Sequence, residues 1–208
     1  MRPRLRGLYV ITPERPRTEI ALVHQVQQAI RGGARIVQYR SKSRDAPSQR
    51  LEGQALLQLC RGQGVPLIIN DNLDLAAAIG ADGVHLGEHD ATPTAARRLL
   101  GPGALIGVSC YNRLERALQA EALGADYVAF GRFFPSASKP RAVPATLDLL
   151  RRARRAVGLP VVAIGGIRPE NGASLIAAGA HMLAVIDAVF GRPDIEQACR
   201  AFSRLFET

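Results

Sequence analysis

Short apolar runs recur along the chain, each bounded by glycine, proline or polar residues and each followed by a stretch with helical periodicity. The runs predict strands at Gly7–Ile11, Arg35–Arg40, Pro66–Asn70, Gly83–Gly87, Leu105–Ser109, Tyr127–Gly131, Pro160–Gly165 and Met182–Ile186. The stretches between them predict helices near Thr18–Arg31, Ser48–Arg61, Leu73–Ile79, Thr92–Leu100, Arg113–Leu123, Ala145–Val157, Pro169–Ala178 and Pro193–Phe206. Strands that are apolar on both faces belong in parallel sheets. Strand–helix repetition builds right-handed βαβ units, and eight such units close a barrel. The fold class expected is therefore α/β, a single (βα)8 TIM barrel over residues 1–208, with an open doubly wound sheet as the alternative. A weak internal echo agrees. Gly32-Gly33-Ala34, Gly80-Ala81-Asp82, Gly124-Ala125-Asp126 and Gly179-Ala180-His181 each precede a strand, where glycine ends a helix in a left-handed conformation.

Composition narrows the picture. No apolar run approaches the roughly 18 residues of a membrane span, and Tyr9-Val10-Ile11 reads as a strand instead of a signal peptide. Cys60, Cys110 and Cys199 are scattered and form no C-x-x-C pair, which fits reduced thiols and a cytoplasmic setting. The net charge of +9 does not imply nucleic acid. Arg151, Arg152, Arg154 and Arg155 share one outer helix, and no basic stretch is interleaved with aromatic stacking platforms. Of 27 basic residues only Lys42 and Lys139 are lysine. Two exceptions in an arginine-rich chain point to places where a compact ammonium is required.

Barrel chemistry is built where strands end at their C-terminal edge. Gln38, Arg40 and Lys42 alternate at the end of the second strand and so point the same way. Asn70 and Asp71 follow the third strand, and Glu88, His89 and Asp90 follow the fourth. Ser109 and Cys110 end the fifth, Ser136, Ser138 and Lys139 follow the sixth, Gly165-Gly166 end the seventh, and Ile186-Asp187 end the eighth. Both lysines therefore fall on one rim. Arg40, Lys42 and Lys139 suit a pyrophosphate. Asp71 and Asp90 supply two hard oxygen ligands that suit Mg2+, although Asn-Asp-Asn before an apolar run is also a helix-capping signature. Gly166 leaves room for backbone to approach a second phosphate, where Ser136 and Ser138 can donate hydrogen bonds. His85 reads as a core residue, His24 and His181 as structural or exposed, and Cys110 as a buried inert thiol.

Taken in order, these segments resemble the thiamine phosphate synthase family over essentially the whole chain. The matching segments are Leu8–Thr12, Val37–Lys42, Leu67–Asp71, Gly80–Gly87 with Asp90, Ile106–Ser109, Gly124–Gly131, Phe134–Lys139 and Val162–Ile167. The resemblance implies a transferase that joins hydroxymethylpyrimidine diphosphate to hydroxyethylthiazole phosphate and releases pyrophosphate. It implies pyrimidine and diphosphate contacts along Gln38, Tyr39, Arg40, Ser41 and Lys42, and at Asn70, Ser109 and Lys139. It places Mg2+ on Asp71 and Asp90, and the thiazole phosphate on Ser136, Ala137, Ser138, Gly166, Ile186 and Asp187. The partners implied are small molecules, with no nucleic acid or membrane, and the sequence leaves room for a homo-oligomer. Four positions depart from the family pattern: Ser136 and Ser138 for threonine, Glu88 for glutamine, Tyr111 for histidine, and Asp187 for a frequent serine. A carboxylate facing phosphate repels it, so contact at Asp187 is expected through backbone N–H. Two other readings are a thiazole tautomerase-like barrel, whose characteristic histidine would fall at Tyr111, and a non-catalytic phosphate-binding barrel of the same pathway.

Overall fold

A computed structural model describes residues 5–14, 18–42, 45–135 and 143–207. Eight parallel strands close a barrel in chain order: β1 (Gly7–Ile11), β2 (Ala34–Tyr39), β3 (Leu67–Asn70), β4 (Gly83–Leu86), β5 (Leu105–Tyr111), β6 (Tyr127–Phe130), β7 (Val161–Ile164) and β8 (Met182–Val185). β8 pairs back onto β1 through Gly7 and Met182, so the sheet has no free edge. The helices form the outer ring: α1 (Glu19–Arg31), α2 (Ala46–Gly62), α3 (Leu73–Ile79), α4 (Pro93–Leu100), α5 (Leu114–Ala122), α6 (Leu147–Ala156), α7 (Pro169–Ala177), α8 (Asp187–Phe190) and α9 (Ile195–Ser203). The open-sheet alternative is thereby excluded.

Local chemistry explains the boundaries. Thr18, Asn72, Thr92, Thr146 and Asp194 cap α1, α3, α4, α6 and α9, each accepting a backbone N–H of the first turn with its side-chain oxygen. Gly80 ends α3 in the left-handed conformation, and Gly33, Gly124 and Gly179 also have positive φ, as the repeated turn motif predicts; Gly32 stays in the right-handed region. Two features differ from the sequence-based boundaries. β5 runs on to Tyr111 through a register irregularity against β6 between Ser109 and Tyr111. The short α8 follows β8 directly, and four residues are too few to write a helical period.

Alternation along each strand divides the core into two layers. Residues such as Val10, Val37, Ile69, Val84, Val128 and Leu183 face the helices. Tyr9, Ile11, Ile36, Ile68, Leu105, Tyr127, Ala129, Val162, Met182 and Ala184 fill the barrel lumen. The lumen is thus apolar near the N-terminal edge of the strands and leaves polar groups toward the other.

Away from the rim, Arg97 of α4 ties two loops together. Its guanidinium donates to the carbonyls of Gly124 (3.2 Å) and Ala104 and to the buried carboxylate of Asp126, which also accepts the Ile106 N–H at 2.8 Å. The Asp126 side chain is only 3% exposed. Removing the cation from such a pair costs about 3 kcal/mol. Arg97→Met is expected to lower the thermal midpoint by roughly 6–12 °C, measurable by calorimetry, and an unchanged midpoint would show that the pair does not hold this end of the barrel.

Candidate functional site

The strand ends open into one cavity of about 660 Å3. Its lining includes Tyr9, Ile11, Gln38, Arg40, Asn70, His85, Ser109, Gly166, Ile186 and Asp187, contributed by seven of the eight strands or the loops that follow them. The sequence-predicted residues Gln38, Arg40, Asn70, Ser109, Gly166, Ile186 and Asp187 are therefore brought to one wall system. Ser136, Ala137, Ser138 and Lys139 lie outside the described residues.

On β2 the alternation holds. Gln38 is 2% exposed and donates its amide Nε2–H to Tyr9 Oη at 2.7 Å. Tyr39 points the other way, toward the helix layer, where its hydroxyl donates to Glu52 of α2 at 2.7 Å. Any contact of Tyr39 with a ligand in the cavity is left to its backbone. Arg40 is held by Thr12, a fully buried residue of β1's exit whose hydroxyl oxygen accepts the Arg40 N–H at 2.9 Å. The Arg40 guanidinium meets Glu14 at 2.6 Å, and Lys42 Nζ lies 3.6 Å from the same carboxylate. Two cations thus converge on one carboxylate at the β2 exit, which is the local charge arrangement an anion needs. Ser41 lies between them in the loop after β2.

The third and fourth strands bring two carboxylates together. Asp71 sits in the left-handed region at φ 60, a conformation aspartate tolerates. Its N–H donates to the His85 carbonyl at 2.8 Å, and its side chain accepts from Asn70 at 2.6 Å. Asn72, not Asp71, caps α3, so the capping signature and the second carboxylate belong to different residues. Asp90 accepts the Gly87 N–H at 2.6 Å. Partial burial, then the hydrogen bond and charge of Asp90, push the Asp71 carboxyl up to about 6. Among the described residues no group of three or more His, Cys, Asp or Glu side chains is gathered. The pair still fits a hard divalent cation: two adjacent carboxylate oxygens, each costly to ionise beside the other, with water and phosphate oxygens left to complete the shell.

The opposite wall is backbone. Gly165 and Gly166 have φ of 103 and 64, and a Cβ on Gly166 would lie 2.4 Å from the Pro135 carbonyl oxygen. Only glycine fits the close passage of these loops. Asp187 is exposed as the first residue of α8, whose Val189 and Phe190 N–H groups turn back to the Ile186 carbonyl at 3.1 and 2.9 Å.

Several lining residues escaped the reading of strand ends. Tyr9 and His85 lie inside their strands, Ile11 ends β1 as an apolar residue, and Arg132, Arg168 and Arg192 stand outside the strands in a chain where arginine is the common surface cation. His85 is a polar member of the lumen, with Nε2 2.9 Å from Ser109 Oγ and Nδ1 3.1 Å from Tyr127 Oη. The alternation Val84-His85-Leu86 was the signal for its inward side chain. Glu88 pairs with Arg113 at 2.6 Å and Arg116 at 3.5 Å, and both guanidiniums lie 5.7 Å from the Tyr111 ring. Two of the departures from the family pattern thus answer each other through arginine. Cys110 is fully buried, and burial pushes its thiol up to about 12, which removes it as a nucleophile. His181 is a structural residue whose Nδ1 accepts the Val161 N–H at 3.0 Å.

A family model described as thiamine monophosphate synthase matches residues 8–189. The chain belongs to the thiamine monophosphate synthase family. With that it takes its place among transferase enzymes. It is 53% identical over 204 residues to the thiamine-phosphate synthase of Aromatoleum aromaticum, covering 98% of both chains. It is 51% identical over 201 residues to that of Methylococcus capsulatus, covering 97% of this chain and 89% of the other. Among solved structures it is similar to a thiamine phosphate pyrophosphorylase from Pyrococcus furiosus, with a TM-score of 0.86, 36% identity, and coverage of 98% and 96%. In this family member the rim is thus assembled from Arg40, Lys42, Asp71 and Asp90 on adjacent strand exits.

The carboxylate pair has a consequence for stability. Folded Asp71 keeps its proton up to about pH 6, whereas an ordinary aspartate releases it near 3.8. Ionisation therefore costs the fold stability above pH 6, and the cost fades as pH falls from about 6 and is gone below the unfolded value. The half-buried carboxyl keeps contact with solvent at the rim, so screening reduces the effect to on the order of 1 kcal/mol. In chelator near pH 7.5, Asp71→Asn is expected to raise the thermal midpoint by roughly 2–4 °C and to have no effect near pH 3.5. Equal midpoints at both values would show that the two carboxylates do not oppose each other.

Proposed function

We propose that this chain is a Mg2+-dependent thiamine phosphate synthase that joins hydroxymethylpyrimidine diphosphate to hydroxyethylthiazole phosphate. The observation that carries this reading is the convergence of Arg40 and Lys42 on one carboxylate beside the Asp71–Asp90 pair, at the mouth of a cavity with an apolar wall. Full-length likeness to named thiamine-phosphate synthases supports it. A cytoplasmic setting belongs to the same reading and is supported by three buried free cysteines. Among the described residues no helix is long and apolar enough to cross a membrane.

In this reading the diphosphate displaces Glu14 and is held by Arg40 and Lys42, with Lys139 as the third cation. Asp71 and Asp90 would hold Mg2+, which supplies neutralisation of diphosphate charge. Gln38, Asn70 and Ser109 orient the pyrimidine in the lumen mouth. Gly166, Ile186 and Asp187, with Ser136, Ala137 and Ser138, receive the thiazole phosphate through backbone N–H and hydroxyl donors. Arg168 and Arg192 line the same wall and offset the Asp187 charge.

The methylene C–O bond to the diphosphate then breaks, and its electron pair leaves with pyrophosphate. The thiazole nitrogen lone pair forms the new C–N bond to the methylene carbon. No protein nucleophile and no general base are required, which agrees with the inert Cys110. The residues act by stabilising the departing charge. Ile11, Val162, Ile164, Ala184 and Ile186 line the cavity and keep water from the electron-poor methylene.

The test is incubation of the purified protein with both substrates and Mg2+, with detection of thiamine phosphate and pyrophosphate in equal amounts. Each product should require both substrates and the metal. Absence of both products with the complete mixture overturns the proposal, and conversion of a thiazole isomer alone would favour the tautomerase reading. Lys42→Ala and Lys139→Ala should each lower kcat by about 100-fold or more, on the scale of a lost electrostatic contact at a leaving group, with the thermal midpoint unchanged.

A further inference from the structure

Five polar side chains from five strands form one hydrogen-bonded row across the floor of the cavity. Gln38 Nε2 lies 2.7 Å from Tyr9 Oη, which lies 2.8 Å from Tyr127 Oη. Tyr127 Oη lies 3.1 Å from His85 Nδ1, and His85 Nε2 lies 2.9 Å from Ser109 Oγ. Gln38, Tyr9, His85 and Ser109 line the cavity, whereas Tyr127 is fully buried beneath it. Tyr127 is thus the link between two halves of the floor. Its ring stacks on His85 with centroids 5.6 Å apart and meets Tyr9 edge-on at 6.0 Å. Residue 107 is glycine where that ring passes; a Cβ there would lie 2.0 Å from Tyr127 Cζ.

The row has a direction. Burial holds both phenols protonated, so each has one proton to give. Gln38 donates to Tyr9, and Tyr9 then gives its proton to Tyr127 and Tyr127 to His85 Nδ1. With Gln38 Nε2 as the donor this is the arrangement in which each phenol proton meets an acceptor within the row, and turning the amide over reverses every link at once. His85 carries its proton on Nε2 and donates it to Ser109 Oγ. The Ser109 hydroxyl proton is left to face the cavity, and so is the Gln38 amide oxygen. The floor therefore presents an acceptor at Gln38, which reverses only if every link reverses with it, and at Ser109 a hydroxyl whose proton is free to turn to the cavity.

We propose that Tyr127 is a positioning residue that fixes this polarity, so that the site selects a heterocycle with an amino donor beside a ring-nitrogen acceptor and rejects the oxo counterpart. The inference rests on the reading of the cavity as a pyrimidine diphosphate site. The oxo compound presents a carbonyl where the amino group would stand, which sets acceptor against acceptor at Gln38. Buried mismatches of this kind are costly because both partners stay unsatisfied. With phenylalanine at 127 the ring is kept and the link is cut, so each end turns independently to suit either ligand.

The experiment is calorimetric titration of wild type and Tyr127→Phe, both with Mg2+, using the aminopyrimidine diphosphate, its 4-oxo counterpart and inorganic pyrophosphate. Wild type should prefer the amino form by about 100-fold or more. Tyr127→Phe should reduce the preference at least tenfold while binding pyrophosphate as wild type does. A variant that keeps the full preference overturns the proposal. Should Tyr127→Phe not fold, side-chain 15N resonances of His85 in the wild-type protein decide the direction of the row: a proton on Nε2 is expected, and a proton on Nδ1 overturns it. Wild-type protein that binds pyrophosphate but neither pyrimidine overturns the functional reading and the selectivity with it. A preference for the amino form that survives Tyr127→Phe overturns the role of Tyr127 alone.

Discussion

Closure of the barrel from parallel strands is the constraint on which the rest of this molecule depends. Because all eight strands run the same way, every strand exit falls on one rim, and chain segments far apart in sequence become neighbours there. Arg40 and Lys42 meet Glu14 from the exit of the first strand, and Asp71 meets Asp90 across the next two exits. Each of these encounters joins charges that local structure alone would keep apart. The β8–β1 pairing that removes the sheet edge also brings the seventh and eighth exits, with Gly166, Ile186 and Asp187, around to the first.

The same closure creates a lumen too narrow for a wholly polar interior and too near the rim to be wholly apolar. Ile36, Ile68, Leu105 and Met182 fill its depth. Above them a layer of phenol, imidazole, amide and hydroxyl groups is buried at a cost that hydrogen bonds must offset. They satisfy one another in series, from Gln38 to Ser109. A layer organised in this way is a packing solution that also puts Gln38, Tyr9, His85 and Ser109 on the cavity wall.

Much of this was legible in the order of residues. Strand and helix alternation marked the barrel, and the period of two on β2 placed Gln38 on the cavity side; β2 ends at Tyr39, whose side chain meets the helix layer, and Arg40 and Lys42 are placed by the loop that follows. The Asn-Asp-Asn segment was ambiguous between a cap and a ligand; Asn72 proved to be the cap, which leaves the Asp71 carboxylate beside Asp90. What the sequence could not show was partnership at long range. Tyr9 and Tyr127 are 118 positions apart and read as ordinary strand aromatics, yet their hydroxyls meet. Thr12 reads as the end of a strand, and its hold on Arg40 depends on β1–β2 pairing. Arg168 and Arg192 were hidden by abundance, since arginine serves as the surface cation throughout this chain.

In the proposed function the β2 exit and the Asp71–Asp90 pair together form one diphosphate–metal site, and crystals grown with inorganic pyrophosphate and Mg2+ decide whether they do. Expected is the anion between Arg40 and Lys42, with Glu14 moved aside and the metal held by Asp71 and Asp90. Pyrophosphate seated instead on Arg168 and Arg192, with no metal at the two carboxylates, would contradict it.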